Sequence, residues 1–303
     1  MPVSARASKR PVAVTASLLR RWQLPQPTSD ADKQDRGTVL VIGGAVEVPG
    51  SLLLAGVAAL RAGAGKLQLA APRSVAPALG VAVPEARVFA LPETSDGFLD
   101  RKAAARAVEC AGGADAILIG PGMLSEDAIR SFMDVAIPRL TGKRLVIDAT
   151  ALSALHGGRF RFTEDTEAVL TPNVGEMARM TGATKESVES NLRSAAMSVA
   201  EDLNAVVALK GAETIIATPY GEVFRYAEGD VGLATSGSGD VLAGILAGLL
   251  ARGATLDQAA VWAVFLHGAA GNRLKRRIGP VGFLGRELLE EIPGLMNGVR
   301  SSR

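Results

Sequence analysis

Thr38-Val39-Leu40-Val41-Ile42-Gly43-Gly44 is a run that is aliphatic from Val39 and stops at two glycines. A strand with one wet face alternates apolar and polar residues. An unbroken aliphatic run is expected of a strand covered on both faces. A helical pattern follows over Ser51–Ala62, then a second strand-like run over Lys66–Ala70. Strand, helix, strand is the crossover unit that joins neighbouring parallel strands.

The alternation continues along the chain. Further strands are expected at Arg87–Leu91, Ala116–Ile119, Leu145–Asp148, Ala168–Thr171, Val206–Lys210, Thr214–Thr218 and Glu222–Tyr226. Helices are expected at Arg101–Ala111, Glu126–Leu140, Gly175–Thr181, Lys185–Leu203, Gly239–Ala251, Leu256–Lys275 and Gly285–Glu291. This order predicts an α/β fold of three layers, with helices on both faces of a mostly parallel central sheet. Pro219-Tyr220-Gly221, between two short runs, predicts a hairpin at one side of the sheet. No break in composition marks a second domain. The reading is a flexible tail over residues 1–14 and a single domain over 15–303.

Composition narrows the function. Apolar residues make up 48% of the 303 and charged residues 21%, which excludes a largely disordered chain. Lys and Arg number 33 against 31 Asp and Glu, net +2, so charge gives no support for a nucleic-acid or membrane-surface role. Aromatics at 4% are too sparse for a stacking platform. One cysteine, Cys110, excludes an intramolecular disulfide framework, and two histidines leave too few ligands for a His/Cys zinc cluster. His156 and His267 are expected in structural or surface roles, and Cys110 in a buried helix. No secretory signal or membrane-length apolar stretch stands out, so a cytoplasmic protein is expected. Familiar loops fail as well. Leu60 occupies the first glycine position of a P-loop ending at Gly65-Lys66, and no G-x-S-x-G elbow is present.

Three motifs carry chemistry. Thr235-Ser236-Gly237-Ser238-Gly239-Asp240 leads into the apolar helix that begins Val241-Leu242-Ala243-Gly244. Unpaired N–H groups and the positive dipole end of a helix N-terminus favour an anion, and glycines let a phosphate approach. Asp240 would then stand beside that phosphate, able to take a proton from an attacking hydroxyl. Equally, it is an ordinary first-turn acid. The second motif is Thr171-Pro172-Asn173-Val174-Gly175-Glu176, at a strand-to-helix junction. Asn173 and Glu176 could hold a hydrated Mg²⁺ or form a capping box. The third is Lys210-Gly211-Ala212-Glu213-Thr214, where Lys210 addresses a nucleotide phosphate or is a surface lysine in a turn. Glycine turns at Gly43-Gly44 and Gly120-Pro121-Gly122 follow strands, and Asp148 ends another as a cleft group or an N-cap.

In this order, with Ala59-Leu60-Arg61-Ala62-Gly63-Ala64-Gly65 and His267-Gly268-Ala269-Ala270-Gly271, the motifs resemble the ribokinase-like superfamily. Within it they look most like the ADP-dependent NAD(P)H-hydrate dehydratases, over roughly Gly37 to Leu295. The resemblance implies binding of ADP, or ATP, as co-substrate through Lys210, Gly211, Ala212, Glu213 and Thr214 and through Gly237, Ser238 and Gly239. It implies Asp240 as the catalytic residue, acting on the hydroxyl of (6S)-hydrated NADH or NADPH, with AMP and phosphate released. On the substrate side it implies Ser51, Gly122, Asn173 and Asp240. It implies Mg²⁺ linked to Glu176 through water. It further implies a homo-oligomer and a separate epimerase, since the chain has no room for one. The chain departs from the family pattern at Val46-Glu47-Val48-Pro49-Gly50-Ser51, at Asn173-Val174-Gly175-Glu176 and at Ser238. The alternative is an ATP-dependent kinase of the same fold, acting on a hydroxymethylpyrimidine, a thiazole or a sugar-like alcohol. A non-catalytic nucleotide-binding protein is the third reading.

Overall fold

In the computed structural model, which describes residues 10–28, 30, 32–158 and 160–301, the aliphatic runs pair into one sheet. The strands are β1 (Val12–Ala13), β2 (Thr38–Ile42), β3 (Lys66–Pro72), β4 (Ala86–Leu91), β5 (Ala116–Ile119), β6 (Arg144–Ile147), β7 (Glu167–Leu170), β8 (Val206–Leu209), β9 (Thr214–Ala217) and β10 (Val223–Tyr226). The helices are α1 (Ala16–Arg21), α2 (Gly50–Arg61), α3 (Ala76–Ala82), α4 (Arg101–Cys110), α5 (Glu126–Ala136), α6 (Val174–Thr181), α7 (Lys185–Ser190), α8 (Leu192–Leu203), α9 (Ser238–Ala251), α10 (Leu256–Arg277) and α11 (Leu288–Ser301).

The strand order is β1-β10-β9-β8-β7-β6-β5-β2-β3-β4. From β8 to β4 every neighbouring pair is parallel, while β9 and β10 form the expected antiparallel hairpin beside β8. The chain leaves β2 toward β3 and β4, then returns to β5 on the other side. That reversal opens a crevice at the carboxyl ends of β2 and β5, the usual ligand position in such sheets. Both glycine turns lie there. The Gly44 N–H donates to Pro121 O at 2.7 Å, and a Cβ on Gly43 or Gly120 would collide with the backbone of Pro121 or Asp148.

Side chains along β2 divide the core. Val39 and Val41 join one cluster with α2, α9, α10 and α11, whereas Leu40 and Ile42 join another with α4, α5, α6 and α8. Helix α9 is buried along nearly its whole length against the first face. Gly244 and Gly248 allow it to approach α2, since a side chain on either would run into the carbonyl oxygens of Ala55 and Ala59.

Some expectations need correction. The tail was expected to reach residue 14. Residues 1–9 lie outside the described residues, but Val12 and Ala13 pair with β10, and Val14 is buried. The Lys185–Leu203 helix is broken at Asn191, whose side chain accepts the Ser194 N–H and caps α8. Beyond α5 the chain tightens into a 3₁₀ turn at Ile137–Arg139 that contains Pro138. The last helix runs past its expected end to Ser301 and contains Pro293. The short helices α1 and α3 were not anticipated.

Candidate active site

Three strand ends and two helix starts converge on one buried ion pair. β6 ends at Ile147, and the next residue, Asp148, is buried at the bottom of the cleft. Its carboxylate accepts the Thr171 hydroxyl at 2.6 Å and faces the Lys210 ammonium at 3.1 Å. Thr171 follows β7 and Lys210 follows β8. The Lys210 N–H donates to Pro172 O at 2.8 Å, and Asn173 bridges to Lys210, so the pairing of β7 and β8 extends to the motif residues.

Asn173 caps α6. Its Oδ1 accepts the Glu176 N–H at 2.9 Å, and Glu176 Oε2 accepts the Asn173 N–H at 2.8 Å. The capping-box alternative is therefore realised. The box also aims a carboxylate toward Lys210. Burial raises the Glu176 pKa, opposed by the Lys210 charge and reinforced by Asp148. Burial alone would depress the Lys210 ammonium, but Asp148, Glu176 and Asp240 together hold it above its ordinary value.

The glycine loop stands over this pair. Gly237 precedes α9 at φ +84°, where a side chain would also strike Leu54. Val241 N–H donates to Gly237 O and Ser238 N–H to Thr235 O. The N–H groups of Gly239 and Asp240 have no backbone acceptor among the described residues. A Cβ on Gly239 would lie 3.6 Å from Lys210 Nζ. Unpaired N–H groups, a helix dipole and an ammonium thus converge on one place, an arrangement that holds a phosphate.

Asp240 lies one residue further, where the Ser51 hydroxyl, in the first turn of α2, favours its charged carboxylate. Burial, then the Asp148 charge, push its pKa up to about 7, with Ser51 and Lys210 opposing. A carboxylate poised there suits a general base. Gly122, at φ +70°, packs beside Ser51 and Gly44 in the crevice between β2 and β5, whereas Asn173 lies after β7 beside Lys210.

A cavity of about 740 Å³ adjoins the loop. Asn173, Lys210, Gly211, Ala212, Thr214, Ser238 and Gly239 line it, as do the unanticipated Tyr226, Asp230, Leu233, His267 and Gly268. Glu213 is turned away and pairs with Arg225 on β10. Gly237 shapes the loop without lining the cavity. His267 was expected in a bland role, yet its Nε2 lies 2.8 Å from Ser238 Oγ. Burial and the Lys210 charge bring its pKa down to about 4, so the ring is neutral. Its presence in the His267–Gly271 motif was the available signal. His156 instead contacts Met180 O.

The sequence model of the family described as NAD(P)H-hydrate dehydratase matches residues 39–294. The ADP-dependent (S)-NAD(P)H-hydrate dehydratase of Xanthomonas campestris is 46% identical over 94% of this chain and 96% of its own length. The crystal structure of the ADP/ATP-dependent NAD(P)H-hydrate dehydratase of Bacillus subtilis, co-crystallised with ATP and Mg²⁺, superposes with a TM-score of 0.81 at 29% identity, over 95% of this chain and 98% of that one. A ribokinase-like superfamily protein of Enterococcus faecalis superposes equally well, at TM-score 0.81 and 26% identity, over 95% of this chain and 96% of that one. With its ribokinase-like fold, this chain belongs to the NAD(P)H-hydrate dehydratase family.

Proposed function

We infer that the chain carries out the ADP-dependent dehydration of hydrated NAD(P)H, a cofactor repair reaction, with Asp240 as its base. The observation that carries the assignment of roles is the position of Asp240. It lies next to unpaired N–H groups and Lys210 on one side, and feels the hydroxyl of Ser51, in the substrate crevice, on the other.

The chemistry follows from that position. The hydrate's hydroxyl is a poor leaving group. The ionised Asp240 takes its proton as the oxygen attacks the terminal phosphorus of ADP, and AMP departs. The N–H groups of Gly239 and Asp240, with Lys210, stabilise the charge that develops on the phosphoryl oxygens. Phosphate then leaves the ring carbon, a neighbouring carbon gives up a proton, and the double bond returns. The balance is hydrate plus ADP giving NAD(P)H, AMP, phosphate and a proton.

Mg²⁺ fits this donor set. Among the described residues no cluster of three metal-ligating side chains exists, so the ion would be carried by phosphate oxygens and water, with Glu176 touching it through water. When bound it neutralises phosphate charge. The (6S) form as substrate leaves the other epimer to an epimerase activity. A cytoplasmic location suits a repair enzyme for a reduced cofactor, and among the described residues no helix is long and apolar enough to cross a membrane.

The test mixes the protein with hydrated NADPH, Mg²⁺ and ADP and follows the reduced-nicotinamide absorbance. Recovery that needs ADP and is lost in Asp240→Asn, with AMP and phosphate as products, supports the reading. No recovery with ADP or ATP from a folded, nucleotide-binding protein would sink it. A stable phosphoester formed from ATP on an alcohol would establish the kinase instead.

A further inference from the structure

We propose that His267 is a positioning residue that turns the Ser238 hydroxyl into a donor for the terminal phosphate of a nucleoside diphosphate. The proposal rests on the nucleotide reading of the glycine loop.

His267 Nε2 lies 2.8 Å from Ser238 Oγ and 3.0 Å from the Ser238 carbonyl oxygen. A carbonyl oxygen only accepts, so a hydrogen bond to it requires the ring proton on Nε2. A nitrogen that carries its proton cannot accept from the hydroxyl, so Oγ accepts from the same N–H. The hydroxyl's own hydrogen must then point elsewhere. Among the described residues it has no other partner, and Ser238 faces the cavity.

The backbone supports the same assignment. The Ser238 N–H is already committed to Thr235 O at 3.2 Å. The loop therefore offers the N–H groups of Gly239 and Asp240, and the Ser238 hydroxyl completes the set in place of its own amide. Burial keeps the ring neutral, which preserves a single proton and hence a single orientation of the dyad.

The test measures ADP and adenosine affinity by calorimetry, alongside KM for ADP and kcat, on the full chain. The variants are Ser238→Ala, His267→Met, His267→Gln and the double variant Ser238→Ala/His267→Met. Losing one hydrogen bond to a phosphate is expected to weaken ADP binding about tenfold in Ser238→Ala and in His267→Met. Adenosine affinity is expected to stay level, and the double variant to match Ser238→Ala. His267→Gln, which keeps an N–H of similar reach, is expected to recover most of the affinity. Equal losses for adenosine and ADP would overturn the proposal, because they indicate a misshapen pocket. So would a double variant whose losses add, or a Gln variant as weak as Met. A wild-type chain that binds ADP but leaves the hydrate unchanged removes the dehydratase reading and leaves this one standing. A wild-type chain that does not bind ADP removes both.

Discussion

Asp240 carries two opposing demands. In the proposed role as base its carboxylate must be ionised to accept a proton, yet burial and Asp148 resist ionisation and set its pKa near 7. Asp240→Asn should therefore cost about 10²–10⁴-fold in kcat while ADP affinity stays within a few fold, checked by turnover and calorimetry. In the wild type, kcat/KM should fall about tenfold per pH unit below pH 7 as the base is protonated. Stability moves the other way. The folded pKa lies above the unfolded value of 3.8, so ionising Asp240 opposes folding, with no cost below about pH 4 and the full cost above about pH 7. Asp240→Asn removes that cost. Its free energy of unfolding should exceed that of the wild type above pH 7, by on the order of 4 kcal/mol, and the two curves should converge near pH 4. A variant no more stable at pH 8 than at pH 4, relative to wild type, would contradict the buried-charge account. Asp240, Lys210 and Asn173 were legible in sequence because each follows a recognisable strand or glycine loop. The partners of Asp148 and His267 were not, since Lys210 lies 62 residues from the first and Ser238 29 from the second. Spacing along a chain says nothing about which strand ends meet.

The pairing of α2 with α9 links element packing to the site. Ser51 stands in the first turn of one helix and Asp240 in the first turn of the other. The register between the two helices is fixed by Gly244 and Gly248 against the Ala55 and Ala59 carbonyls. Gly244→Ala should force the helices apart and destabilise by about 1–3 kcal/mol, with a parallel loss of activity as Ser51 and Asp240 move apart. Gly112→Ala, where an added Cβ meets nothing within 4 Å, should stay within about 0.5 kcal/mol. Denaturant midpoints and initial rates on both variants check this. An i, i+4 glycine pair, Gly244 and Gly248, is itself a sequence signal for such a close approach. Helix breaks were not legible in sequence. The stop at Asn191 depends on a side chain competing for the Ser194 N–H, a local choice that apolar periodicity does not register. The strands read well because a core buried on both faces leaves long aliphatic runs, whereas two-residue β1 has no periodicity to read and exists because β10 offers it an edge.

At the scale of the molecule, the N-terminal segment is a strap across the back of the helix that carries His267. Trp22 O accepts the Trp262 Nε1–H at 2.8 Å, and the Gln258 amide donates to Trp22 O and Gln23 O. The Trp22 ring stacks on Phe224 of β10 at 5.7 Å, and Leu19 and Leu24 are buried in the same cluster. Trp262 and Gln258 lie on α10, one to three turns before His267. Removing residues 1–24 would strand two buried donors and expose the apolar faces of Trp262 and Phe224. Each buried unsatisfied donor costs about 1–3 kcal/mol, so a loss of several kcal/mol is expected, enough to leave a domain of ordinary stability marginal. Among the described residues, a chain starting at Thr15 gives up little beyond β1 and Val14, and should lose about 1–2 kcal/mol. Saturating ADP discriminates a local from a global effect. At 100 times its Kd it should add about 2.7 kcal/mol to the wild type and to the Thr15 chain alike. The longer deletion, with α10 unanchored, should gain less, because its ADP affinity falls along with the placement of His267. Equal ligand stabilisation in all three chains would show that the strap serves stability alone and leaves the nucleotide site untouched.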